Sequence, residues 1–213
     1  MASAGAPGLA LRLMDGAQPG AADYPGDWAA WERARIRVLA DTGAWRRALQ
    51  RLDERPSNLP RTFDHWAEYQ QARCHLELGQ AEAARQRLRA LLWQRRADAA
   101  DERVRRWRRA IVRSYLVGGA VEDAVTAMRR FDQDYADPGT AWAHLRGRVL
   151  LRAGRAHEAA RHLAGARLDT PAARALTLLA RLRSDARGAS AIAQEALSAA
   201  RADDADAPAR ARF

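Results

Sequence analysis

Five histidines, one cysteine and 26 acidic residues are the side chains from which this 213-residue sequence could build a catalytic or metal site. The segment HEAARH, starting at His157, resembles a zinc-protease helix at first sight. That chemistry needs two histidines four apart on one helical face. His157 and His162 are five apart, and at ~100° per residue their rings diverge. His65, His75 and His144 stand singly and read as packing or surface residues. Cys74, the single cysteine, excludes a disulfide framework and any multi-cysteine metal site. Its apolar helical setting, HWAEYQQARCHLELG, makes it a small buried residue. Asp203 and Asp204 lie in a polar tail where nothing would separate their pKa values. The sequence has no GxSxG nucleophile elbow, no phosphate-cradling glycine loop and no dinucleotide fingerprint. No catalytic residue, metal ligand or cofactor is therefore assigned.

Binding chemistry has better candidates. Seven tryptophans could stack on sugars or bases. Trp31, Trp66, Trp107 and Trp142 recur at nearly equivalent places, which favours core packing. Trp28, Trp45 and Trp93 fall outside that series and are the candidates for an exposed contact. The second feature is an arginine run: Arg95, Arg96, Arg103, Arg105, Arg106, Arg108 and Arg109, interrupted by Asp98, Asp101 and Glu102. It reads either as a solvated helix face with local ion pairs or as a dock for an acidic partner or polymer. The net charge of +10 and pI of about 11.1 invite a nucleic-acid reading. All 36 basic residues are arginine, however. With abundant alanine and glycine this matches GC-rich codon usage, so a nucleic-acid partner is not favoured.

The elements that position these residues emerge from a repeat. Gly43, Gly79, Gly119, Gly154 and Gly188 are spaced by 36, 40, 35 and 34 residues. Five residues after each comes an alanine: Ala48, Ala84, Ala124, Ala159 and Ala193. Nine after each comes Leu52, Leu88, Met128, Leu163 or Leu197. Twelve before stand Trp31, Trp107 and Trp142, with Trp66 one position out of step. Each unit reads as helix, tight turn, helix. Glycine ends the first helix, alanine lets the second approach closely, and Leu or Met fills the space between. Glu82, Glu122, Asp123 and Glu158 suit the positive end of a starting helix. Pro60, Pro138 and Pro171 punctuate the connections.

The predicted helices are 28–41, 45–55, 62–78, 81–94, 101–117, 121–135, 140–153, 156–165, 171–184 and 189–202. The predicted fold is all-α, an α-solenoid of about four and a half tetratricopeptide-like helix pairs over 27–202. Residues 1–26 are expected to be a mobile lead or the remnant of an earlier unit, and 203–213 a polar tail or a truncated continuation. No apolar run reaches the ~18–20 residues of a transmembrane helix, and the N-terminus lacks the pattern of a secretory signal.

Segments 43–60, 76–94, 111–135 and 142–163 resemble the helical-repeat region of bacterial soluble lytic murein transglycosylases. IVRSYLVGGAVEDAVTAMRRFDQDY (111–135) carries most of that resemblance. It implies a non-catalytic superhelical scaffold in the periplasm or cell envelope. Such a scaffold would engage peptidoglycan or position glycan for a separate C-terminal catalytic domain. The Glu-Ser catalytic motif of that family is absent here, so no catalytic residue carries over. A partial gene product would account for the missing motif and signal; if Met1 is the natural start, the expected location is cytoplasmic. The alternative is a free-standing tetratricopeptide-like module that holds a peptide or helix of another protein.

Overall fold

The computed structural model describes residues 6–95, 100–136, 139–166 and 170–185, with isolated positions between 188 and 198. Their elements are α1 (Pro7–Ala17), α2 (Pro25–Asp41), α3 (Trp45–Asp53), α4 (Arg61–Glu77), α5 (Ala81–Arg95), α6 (Asp101–Val117), α7 (Val121–Asp134), α8 (Gly139–Arg152), α9 (Ala156–Ala164) and α10 (Pro171–Ser184). No strand occurs among the described residues. The boundaries of α2 to α10 fall within three residues of those predicted. The expected helix 189–202, the tail 203–213, Pro138, Ala193 and Leu197 lie wholly or largely outside the described residues. No helix among the described residues is long and apolar enough to cross a membrane. The chain divides after Gly118 into two compact units, the first carrying α1–α6 and the second α7–α10.

The turn chemistry explains why the helices end where they do. Gly43, Gly79, Gly119 and Gly154 have φ between 72° and 74°, a conformation that costs an L side chain but not glycine. At Gly43 the amide donates to the Ala40 carbonyl (3.0 Å) and the next amide, Ala44, to Leu39 (2.8 Å). Gly79 with Gln80 and Gly154 with Arg155 repeat the arrangement. These paired bonds satisfy the last carbonyls of the first helix and turn the chain into the second. α10 stops at Ser184, and the amide of Gly188, the expected fifth anchor, is held by the Asp185 carboxylate at 3.1 Å; the residues on either side of Gly188 lie outside the described ones.

Packing follows the repeat register. Ala48, Ala84, Ala124 and Ala159 have no exposed surface, and Leu52, Leu88, Met128 and Leu163 are equally buried. In the first unit, Ile36, Leu39, Leu52, Phe63 and Cys74 form one cluster, and Leu76, Leu88, Leu91, Val104 and Trp107 a second. In the second unit Trp142 stacks on Phe131, with ring centroids 4.0 Å apart, and donates from Nε1 to Asp132. α8 and α9 approach so closely at Gly147 that a Cβ there would stand 2.7 Å from Leu163.

A buried polar seam runs with the core. Eight residues before Gly43, Gly79 and Gly154 stand Arg35, Gln71 and Arg146, and eight after stand Arg51, Arg87 and His162; Gly119 has Ile111 and Ala127 there instead. Glu32, fully buried, accepts from Arg35 (2.9 Å) and from Arg51 through both oxygens (2.6 and 2.8 Å). Gln71 donates to Asp53 and accepts from Arg87 (2.9 Å). Arg146 bonds Asp132 (2.9 Å) and lies 2.7 Å from His162 Nδ1. Each seam ties the two helices of a pair to the helix before them, satisfying polar groups that burial would otherwise penalise.

Residues 1–26, expected as a mobile lead or the remnant of an earlier unit and assigned no helix, contain α1 over Pro7–Ala17. Pro7 starts it, Ala10 is buried, and it packs on α2. Asp15 pairs with Arg35 at 3.1 Å, and Gln18 bonds both Glu32 and the Trp28 carbonyl. α1 thus supplies the preceding helix that the first seam requires.

Candidate functional site

In the first unit the first helices of successive pairs, α2, α4 and α6, turn their buried positions toward α3 and α5 and leave an opposite face open. On α4 this face runs through Trp66, Tyr69 and Arg73, and on α6 through Glu102, Arg106, Arg109 and Arg113, at the i, i+3, i+4, i+7 spacing of one helical stripe. α4 and α6 touch directly. The positive charges of Arg73, Arg106, Arg109 and Arg113 all act on the Tyr69 hydroxyl. Burial raises that phenol above its ordinary pKa, and the four arginines work against the rise. Arg113 pairs with Glu77 and Arg109 with Glu102, each at 2.8 Å. On the adjoining edge Arg33 donates to the Thr62 carbonyl (3.0 Å), its guanidinium 4.7 Å from the centre of the Trp66 ring. Partial burial lowers the Arg33 pKa from its ordinary value.

The arginine run is not one surface. Arg96 and the side chain of Arg95 lie outside the described residues. Arg103 and Arg106 are exposed, whereas Arg105, Arg108 and Arg109 are half-buried, with Val104 and Trp107 buried between them. Consecutive positions of a helix point in different directions, so a dense run in sequence is dispersed around α6. Arg106 and Arg109 join the open face, while Arg108 lies well round the helix from Arg106.

The tryptophans also need correction. Trp28 and Trp45, expected as exposed contacts, are half-buried against the first core cluster, and Trp28 meets Phe63 edge-on at 5.8 Å. Their large apolar surfaces close the end of the core beside α1 and the first turn. Trp93 is 91% exposed, on the second helix α5. Trp107 and Trp142 are buried as expected, and Trp31 and Trp66 are half-buried.

Other candidate groups fall into the framework. Burial pushes the Cys74 thiol up to about 11, leaving it protonated and inert. His157 is exposed while His162 lies in the polar seam, confirming that the two do not converge. No cluster of metal-ligating side chains forms among the described residues.

Sequence reasoning missed one column of the repeat. Six residues before each of the first four anchor glycines stands an arginine: Arg37, Arg73, Arg113 and Arg148. The glycine register itself could have exposed it, because the same alignment that revealed the alanines carries this column too. Three of the four belong to the first unit and lie on its open face.

The chain is similar to two solved structures. One is a kinesin light chain-like protein of nearly identical TPR-like repeats from Podosopora anserina, 18% identical over 94% of each chain, with a TM-score of 0.50. The other is a variant of that protein, 15% identical over 91% of this chain and 92% of that one, with a TM-score of 0.52. At such identities the likeness defines the fold, a TPR-like helical-repeat solenoid. No protein-family model matches the chain, nor does any curated protein. Of the resemblance to lytic transglycosylases, these likenesses support the TPR-like helical repeat.

Proposed function

We propose that this protein is a protein-interaction scaffold in which the open face of the first helices docks a peptide or helix of a partner protein. TPR-like folds support that role because stacked pairs offer one continuous face to a ligand. The observation that carries the reading is the arginine column. Core packing explains the repeated glycines, alanines and leucines, but it does not require a cation on the open side of the three first helices of the first unit. Peptidoglycan gains no support from this face: Arg33 covers the Trp66 ring and Tyr69 is half-buried, which denies a sugar its stacking surface.

Site-specific photo-cross-linking in the native host tests this reading. A photoreactive residue replacing Arg37 or Arg106 should yield discrete protein adducts, and one replacing Arg46 or Gln86, exposed on the second helices α3 and α5, should not. Adducts only from α3 and α5, or none from the first helices, would overturn it.

A further inference from the structure

Resting on that reading, we infer that the open face of the first unit takes an acidic peptide segment, whose carboxylates engage Arg37, Arg73 and Arg106. The charge needed is in place. Among the described residues Arg33 and Arg73 bond to neutral oxygens, the Thr62 carbonyl at 3.0 Å and Gln70 Oε1 at 2.9 Å, and Arg73 lies 6.0 Å from the centre of the Trp45 ring, contacts that do not neutralise their charge. Arg37 and Arg106 are exposed. The guanidinium fork binds a carboxylate through paired hydrogen bonds, which gives geometry as well as charge.

A polypeptide fits this face better than a nucleic acid does. Single-stranded nucleic acid needs free aromatic faces for its bases, and the Trp66 and Tyr69 rings are covered or half-buried. It also presents phosphate at every step, whereas the Glu77 and Glu102 carboxylates interrupt the positive tract. A peptide can place its acidic residues opposite the arginines and neutral ones opposite Glu77 and Glu102.

Fluorescence anisotropy with the full chain decides the matter. The probes are a labelled peptide rich in Glu and Leu, the same peptide with Gln at every Glu, and a thymidine oligonucleotide of equal charge. The acidic peptide should bind at least about tenfold more tightly than its Gln counterpart, equivalent to about 1.4 kcal/mol. The doubly substituted Arg37→Glu, Arg106→Glu chain should lose about tenfold or more. The doubly substituted Arg46→Glu, Arg47→Glu chain, an equal charge change on α3, should change affinity less than about twofold. Thermal midpoints of both variants close to the parent's would show that the fold is intact. Equal binding of the Gln peptide, equal loss in the Arg46→Glu, Arg47→Glu chain, or tighter binding of the oligonucleotide would overturn the inference. Cross-links from Arg37 and Arg106 without acidic-peptide binding would sink this inference while leaving the docking face standing.

Discussion

At Ala84 the space between α4 and α5 admits a methyl group and little more, as its complete burial shows. Replacing Ala84 with Leu should overpack that crossing and lower stability by about 1–3 kcal/mol. Leu88→Ala should cost about 2–5 kcal/mol by opening a cavity in the second core cluster. Urea denaturation of both variants checks the register, and unchanged midpoints would refute it. The polar seam makes a separate demand. Glu32→Ala leaves Arg35, itself 3% exposed, without its buried carboxylate partner, and should cost about 3–5 kcal/mol in the same assay. Residues of this kind differ in how readily sequence displays them. Alanine and leucine recur at fixed distances from glycine and could be read directly. The seam could not, because its members change chemical type from pair to pair: Arg35 with Arg51 through Glu32, Gln71 with Arg87, and Arg146 with His162.

Helix boundaries were legible because they rest on local chemistry: a left-handed glycine after each of α2, α4, α6 and α8, and often proline or an acidic first turn at a helix start. Gly79→Ala should cost about 1–2 kcal/mol, since an added Cβ meets nothing within 4 Å and only the backbone conformation is strained. Differential scanning of that variant measures the effect. α1 escaped notice because its partners, Glu32, Arg35 and α2, lie outside its own segment. The helices of the second unit carry a pH dependence. Burial and the charge of Arg146 hold His162 below its ordinary pKa, and burial and Arg148 do the same for His144. A depressed pKa in the folded state means the unfolded chain binds protons first. The stabilisation is complete above about pH 6.5 and is lost as pH falls through the lower folded values. Trp142, the second unit's sole tryptophan, reports this directly. Its denaturation midpoint should drop between about pH 7.5 and 5.5, and drop less in a His144→Gln, His162→Gln chain. An equal drop in both would refute the assignment.

For the whole molecule, sequence revealed a repeat of helix pairs and pointed to arginine as the binding chemistry. It placed that chemistry in the Arg95–Arg109 run, because density along a chain is easier to see than alignment across helices. Folding disperses the run and assembles another set, one arginine from each of α2, α4 and α6, beside Arg106. The same transformation lays Trp28 and Trp45, half-buried, against the core. The face proposed to dock a partner exists only where successive first helices stand side by side, and no single segment contains it. Every basic side chain in the chain is arginine, so a reagent specific for guanidinium groups can map that face completely. Phenylglyoxal footprinting, read by mass spectrometry with and without the cross-linked partner, is the most direct measurement. Docking on the first helices predicts that the partner protects Arg37, Arg73 and Arg106 while Arg46 and Arg47 on α3 react as before. Protection of Arg46 and Arg47 with Arg37 and Arg106 still reactive would contradict it.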